Sequence, residues 1–172
     1  LKNWNHAAEV DSKGAAIYNL AYYMVPQVMQ GRKNDALTMQ VAVKVYQQIN
    51  DYLVKNFGKT DVVLGDIQKL VRGDESWPQA GMPDVLAAVM SEPYVNGTRK
   101  MNSGDAYINI VRFPKDGSLP HIESVNTFGA SMHKDSPHFA DQRAMYQGQI
   151  LKPMTLDKNE VLKNAEKIYH PQ

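Results

Sequence analysis

Apolar residues recur at helical spacing through the first third of the chain. Ile17, Leu20, Ala21, Met24 and Val28 share one face of a segment that Asp11 or Ser12 can cap, and Pro26 is expected to kink or end that helix near Val25. Gly31 to Asn34 is a polar break. The spacing then predicts a second helix over 35–57, in which Met39, Ala42, Tyr46, Ile49, Leu53 and Phe57 form one apolar stripe. Gly58 stands where a left-handed residue is wanted to stop it. Residues 1–58 therefore read as helical.

Beyond residue 59 the period changes. Residues 62–73 read as one strand or two, Trp77-Pro78 through Met82-Pro83 as a proline-punctuated loop, and residues 84–90 admit a helix as a rival reading. After a turn at Asn96-Gly97, Ala106 to Phe113 predicts a strand with Ile108 and Ile110 on one face and Tyr107, Val111 and Phe113 on the other. A strand apolar on both faces is expected at the centre of a sheet. Asp116-Gly117 supplies hairpin-turn chemistry, and His121 to Phe128 returns, with Pro120 confined to its start. Ser136 followed by Pro137 predicts a capped helix over 137–147, stopped by Gly148. A last helix over 158–169 opens on Asp157 and Glu160, which resemble a capping box, with Val161, Ala165 and Ile168 on one face.

The chain thus divides into a helical stretch (1–58), a mixed stretch containing a β-hairpin (59–135) and C-terminal helices (136–172). The order argues an α+β fold with an at least partly antiparallel sheet. No internal repeat, low-complexity segment or dividing linker interrupts the 172 residues, which read as a single segment.

Composition narrows the function classes. A hydrophobic share of 43% is ample for a real core, and 19 basic against 18 acidic residues leave a formal charge of +1, which gives no footprint for nucleic acid or an acidic membrane surface. With no cysteine, disulfides, thiolate metal sites and cysteine nucleophiles are excluded within these residues. No apolar run is long enough to span a bilayer, and the polar start, from Leu1 to His6, is not a secretory signal. The first residue is not methionine, which suggests processing or truncation.

The densest polar chemistry is His121, Glu123, His133, Asp135, Ser136, His138 and Asp141. Its residue types suit a metal site or a hydrolytic triad, but its spacing suits neither. A zinc helix wants two ligands on one face, as at i and i+4, and Ser136, His138 and Asp141 lie too close together to line up as nucleophile, base and acid. A structural network around a helix start is the better reading, with no metal and no cofactor. There is no Gly-x-Ser-x-Gly elbow, dinucleotide fingerprint or P-loop. Trp4, Trp77 and the tyrosines Tyr18, Tyr22, Tyr23, Tyr46 and Tyr52 are expected in core or interface, and nine methionines suggest an adaptable packing surface.

The run Ser136-Pro137-His138-Phe139-Ala140-Asp141-Gln142 resembles the "SPHYADQ" signature of the penicillin acylase family. Asp11 to Ala16 resembles that family's "DSRGAALF", Gly65 to Gly73 its "GDVHRLRRG", and Pro83 to Leu86 part of its "GGPDVL". Gly104 to Ile108 is similar to "GDSYI" and Glu123 to Gly129 to "ESIHQFG". Order and spacing agree over nearly the whole chain, with the branch that includes acyl-homoserine lactone and aculeacin acylases. Three departures stand out: Gln68 replaces a histidine, Gly81-Met82 a glycine pair, and Phe139 a tyrosine.

The resemblance implies hydrolysis of an amide by a serine, threonine or cysteine at the N-terminus of a β subunit, with its own α-amino group as base. Leu1 cannot play that part, and the oxyanion-stabilising groups lie upstream of the matching region, so no catalytic residue of the family maps onto this chain. It implies the C-terminal portion of a β subunit, completing a four-layer αββα sandwich and inactive alone. Its partners would be the remainder of the β subunit and the α subunit, and exposed apolar surface around Tyr107 to Val111 and on the methionine-rich helices would favour self-association. Periplasmic or secreted location follows from the resemblance alone. The acyl group and the substrate-binding residues stay open among penicillin, lactone and lipopeptide chemistry. The alternative is a stand-alone interaction or binding domain derived from an acylase tail.

Overall fold

The structure is a computed structural model that describes residues 3–29 and 38–168. Helix α1 (Lys13–Met29) packs on α2 (Met39–Phe57), and the core between them is Ala15, Ala16, Leu20, Val45, Ile49 and Leu53. The Ser12 hydroxyl accepts from the Ala15 N–H at 3.1 Å and caps α1. Thr38 caps α2 by accepting from Val41 N–H, and Gly58 closes it at φ +69° with its N–H on the Val54 carbonyl. The expected start of the second helix at 35 falls outside the described residues.

Two expectations change here. Helix α1 runs on to Met29 with Pro26 inside it, so of the two outcomes expected of that proline the end near Val25 does not occur. Proline costs one intrahelical hydrogen bond, yet its fixed φ is helical, and partly buried Met24, Val25 and Val28 hold the last turn against the core. The stripe of α2 keeps Ile49 and Leu53 buried as expected, but Val45 takes the inward place expected of Tyr46, which is 51% exposed, and Met39 is 79% exposed. Valine fits the tight approach of α1, and the tyrosine keeps its hydroxyl in water.

Residues 62–73 form a short helix, α3 (Leu64–Ile67), that runs directly into strand β1 (Gln68–Arg72). The helix forms because the N–H groups of Leu64 and Gly65 reach the carbonyls of Ser12 and Val10 at 3.0 and 2.7 Å, a tertiary satisfaction that strand propensity does not register. Gly73, at φ +60°, turns the chain into β2 (Glu75–Pro78). The helix admitted over 84–90 is absent, and the chain enters β3 (Val89–Pro93) instead. Asn96-Gly97 makes the expected turn, both residues at positive φ, into β4 (Arg99–Gly104). Strand order is β2-β1-β4-β3, antiparallel except for the β1–β4 pair.

Buried polar side chains pin this sheet. Gln68 is fully buried; its amide nitrogen donates to the carbonyls of Gln79 and Gly81 at 3.1 and 2.7 Å, and its oxygen accepts from Asn19 of α1 at 3.0 Å. At the register shift between Met90 and Ser91, the Ser91 N–H reaches the Tyr23 hydroxyl at 2.8 Å. Arg99 donates to the Ser91 hydroxyl and carbonyl while its guanidinium lies 3.7 Å over the Tyr23 ring. The bulge is thereby satisfied by one helix and one neighbouring strand.

Residues 1–105 and 106–172 form two compact units, with no linker between them. The second holds a three-stranded antiparallel sheet, β5 (Tyr107–Arg112), β6 (His121–Asn126) and β7 (Lys152–Met154), with α4 (Arg143–Gln147) and α5 (Lys158–Lys163). The hairpin forms in the expected place: Tyr107 faces Asn126 and Arg112 faces His121. Asp116 caps its turn by accepting from Ser118 N–H, and Gly117 adopts φ +78°. Strand β5, expected at the centre, is an edge of the described sheet, and β6 is central. The mixed helical and largely antiparallel architecture is α+β.

Candidate functional site

The polar cluster sits where β6 leaves its sheet. Gln142 receives the strand end: its buried side-chain oxygen accepts from Asn126 N–H at 3.0 Å, and its own N–H donates to the Phe128 carbonyl at 2.7 Å. Residues 129–141 form a compact excursion between these contacts. Ser131 N–H returns to the His138 carbonyl at 3.1 Å, and a Cβ on Gly129 would lie 2.1 Å from that same oxygen. Only glycine allows this approach.

The helix expected over 137–147 is reduced to α4, and Ser136 caps no helix. Its hydroxyl instead accepts from His138 N–H at 3.2 Å within a tight turn, and Phe139 N–H closes on the Ser136 carbonyl. The stop at Gly148 holds, its N–H reaching Ala144 and Tyr146 carbonyls. The shortening has a physical source: the contacts of Gly129 and Ser131 to the His138 carbonyl fix the backbone before a helical ladder can form.

His138 is the best-connected member. Its Nδ1 lies 2.8 Å from Asp141 Oδ2 and its Nε2 2.7 Å from Glu166 Oε2. The hydrogen bond to Asp141, followed by that to Glu166, raises its pKa above the ordinary value, which favours the imidazolium with both ring N–H groups donating. A ring so engaged has no lone pair to take a proton from Ser136, so the serine, histidine and aspartate do not compose a nucleophile, base and acid. Of the other candidates, Glu123 pairs with Arg112 at 2.7 Å, His121 is exposed on β6, His133 offers its backbone carbonyl to Ser136 N–H, and Asp135 is exposed. Among the described residues no group of three or more His, Asp or Glu is placed to hold a metal ion. Also among them, no helix is long and apolar enough to cross a membrane.

Two members were not legible as such from sequence. Glu166 lies 28 residues from His138, and no local pattern links them. Gln142 is the signature's last letter, but its role in finishing β6 depends on a partner 16 residues away.

Comparison with known proteins agrees with the motif order. The profile of the family described as penicillin amidase matches residues 1–163. Over 90 residues the chain is 36% identical to an acyl-homoserine lactone acylase, PvdQ, of Pseudomonas fluorescens; the aligned stretch is 51% of this chain and 11% of that protein. The match therefore spans a small part of the length of this curated relative.

Proposed function

The chain belongs to the penicillin amidase family, and from that premise we propose that it is a structural, non-catalytic portion of an amide hydrolase that removes an acyl group from nitrogen. One observation carries the proposal. Among the described residues of the second unit only Val125 and Tyr146 are buried large hydrophobics, while twelve large hydrophobics, Phe113 at 79% exposure among them, stand open to solvent. A unit with that imbalance is built to be covered. Its edge strand β5 carries exposed Tyr107 and Val111 on one face and Ile110 on the other, which suits pairing with a further strand between two layers. The remainder of the parent acylase is the cover we propose.

Acyl-homoserine lactone is the first substrate to try, because a relative named for that activity shares 36% identity over half of this chain. The chain alone should release no acyl product. Supplied in trans to an acylase of the family lacking the corresponding region, it should restore turnover and co-purify with it. Turnover by the isolated chain would overturn the non-catalytic reading, and failure to associate would overturn the proposed cover.

A further inference from the structure

An open cleft of about 470 Å³ in the first unit is lined by Trp4, His6, Tyr18, Met82, Asp84 and Val85, together with Pro83. Its wall is aromatic: the Trp4 ring centroid is 5.2 Å from that of His6 and 5.5 Å from that of Tyr18, at tilts of 48° and 40°. Trp4 is fixed in place. Its indole N–H donates to the Ala7 carbonyl at 3.0 Å, and Gly14 lies so close that a Cβ there would come within 2.2 Å of the ring. Buried Met82 adds an apolar floor.

Two polar groups of the cleft, the Asp84 carboxylate and the Tyr18 hydroxyl, can accept hydrogen bonds. Asp84 is exposed, and neither its carboxylate nor the Tyr18 hydroxyl is engaged by a hydrogen bond or ion pair to any described residue. No lysine or arginine lines the cleft. His6 and Asp84 both hold left-handed backbone, at φ +63° and +62°. Aspartate tolerates that conformation, so the position does not require glycine.

We propose that this cleft binds the side chain of an arginine presented by a peptide segment, the guanidinium stacking on the aromatic wall and donating to Asp84. Charge complementarity selects a cation, and the ring geometry selects its shape. Trp4 is inclined to His6 by 48° and to Tyr18 by 40°, so its indole face offers a flat ion a stacking surface that neither neighbour meets at a right angle. A guanidinium also uses free carboxylate and hydroxyl acceptors, which a methylated ammonium cannot. The volume accommodates the guanidinium and its methylene stem. The lining residues of the cleft all belong to the first unit, so the titration does not require the second unit to be covered.

The test is a titration of the full chain with N-acetyl-arginine methylamide, followed through the two indole N–H resonances. Trp4 should shift saturably in the millimolar range while Trp77, outside the cleft, stays put; the lysine analogue should bind more weakly. Asp84→Asn keeps the left-handed backbone and removes the charge, so it should weaken binding roughly two- to fivefold, as loss of an exposed charge pair does, without lowering the thermal midpoint. Absence of a saturable Trp4 shift would overturn the proposal. So would tetramethylammonium binding as well as the arginine analogue, or an unchanged affinity in Asp84→Asn.

Discussion

At the scale of single residues, this chain spends its special chemistry on joints. Gln68 is a departure from the motif its neighbours resemble, and its amide offers a donor to two backbone carbonyls and an acceptor to Asn19 at once. Gly129 is the most restricted position of the signature region, since any side chain would drive into the His138 carbonyl. Gly129→Ala is therefore expected to cost about 1–3 kcal/mol, the range for overpacking a filled site. The loss should appear as a lower denaturation midpoint together with shifted amide resonances from Phe128 to Gln142. A variant with wild-type stability and spectrum would mean that the excursion yields freely. The signature's letters were legible in the sequence, but their meaning was not. Ser136-Pro137 reads as a helix start by local rules, and a non-local contact to a backbone oxygen decides otherwise.

At the scale of elements, legibility followed length and locality. Helix α2, with a cap at Thr38, a left-handed stop at Gly58 and a long apolar stripe, was readable to within a few residues where described, with Ile49 and Leu53 inward as expected and Val45 in the place expected of Tyr46. The β5–β6 hairpin was readable because turn chemistry and alternation agree. Strands β2, β4 and β7 were not, being short or polar and specified by their partners. Helix α5 was capped as expected by Asp157, which accepts from Asn159 and Glu160 N–H groups, but it ends at Lys163. The segment after it is held instead by Glu166 on His138. Because the folded-state pKa of His138 is raised above 6.5, this tie is fully present below that value and is lost as pH rises through the raised pKa. A proton NMR titration should give His138 a midpoint above 6.5, with residues 164–168 gaining mobility in 15N relaxation over the same interval. A midpoint at or below 6.5, or mobility that ignores it, would show that the two carboxylates do not act on the ring.

At the scale of the whole molecule, the two units differ in how much core they own. The cluster of Ala15, Leu20, Val45, Ile49, Leu53, Val62, Leu64, Ile67 and Met82 lies wholly within residues 1–105. Residues 106–172 bury two large hydrophobics among those described, Val125 and Tyr146, and a segment of that size rarely stabilises itself on so little. Nothing in the sequence announced this division. Residues 106–172 are somewhat poorer in apolar residues than residues 1–105, but the larger difference lies in whether those residues meet one another or are left facing outward, which only the topology decides. Expressed separately, residues 1–105 should unfold in one cooperative thermal transition with dispersed amide resonances. Residues 106–172 should show a broad, weakly cooperative transition and concentration-dependent association through β5 and the exposed Phe113. If the second unit instead melts sharply as a monomer, its exposed apolar residues are an ordinary surface rather than a face awaiting cover, and the scaffold reading loses its main physical support.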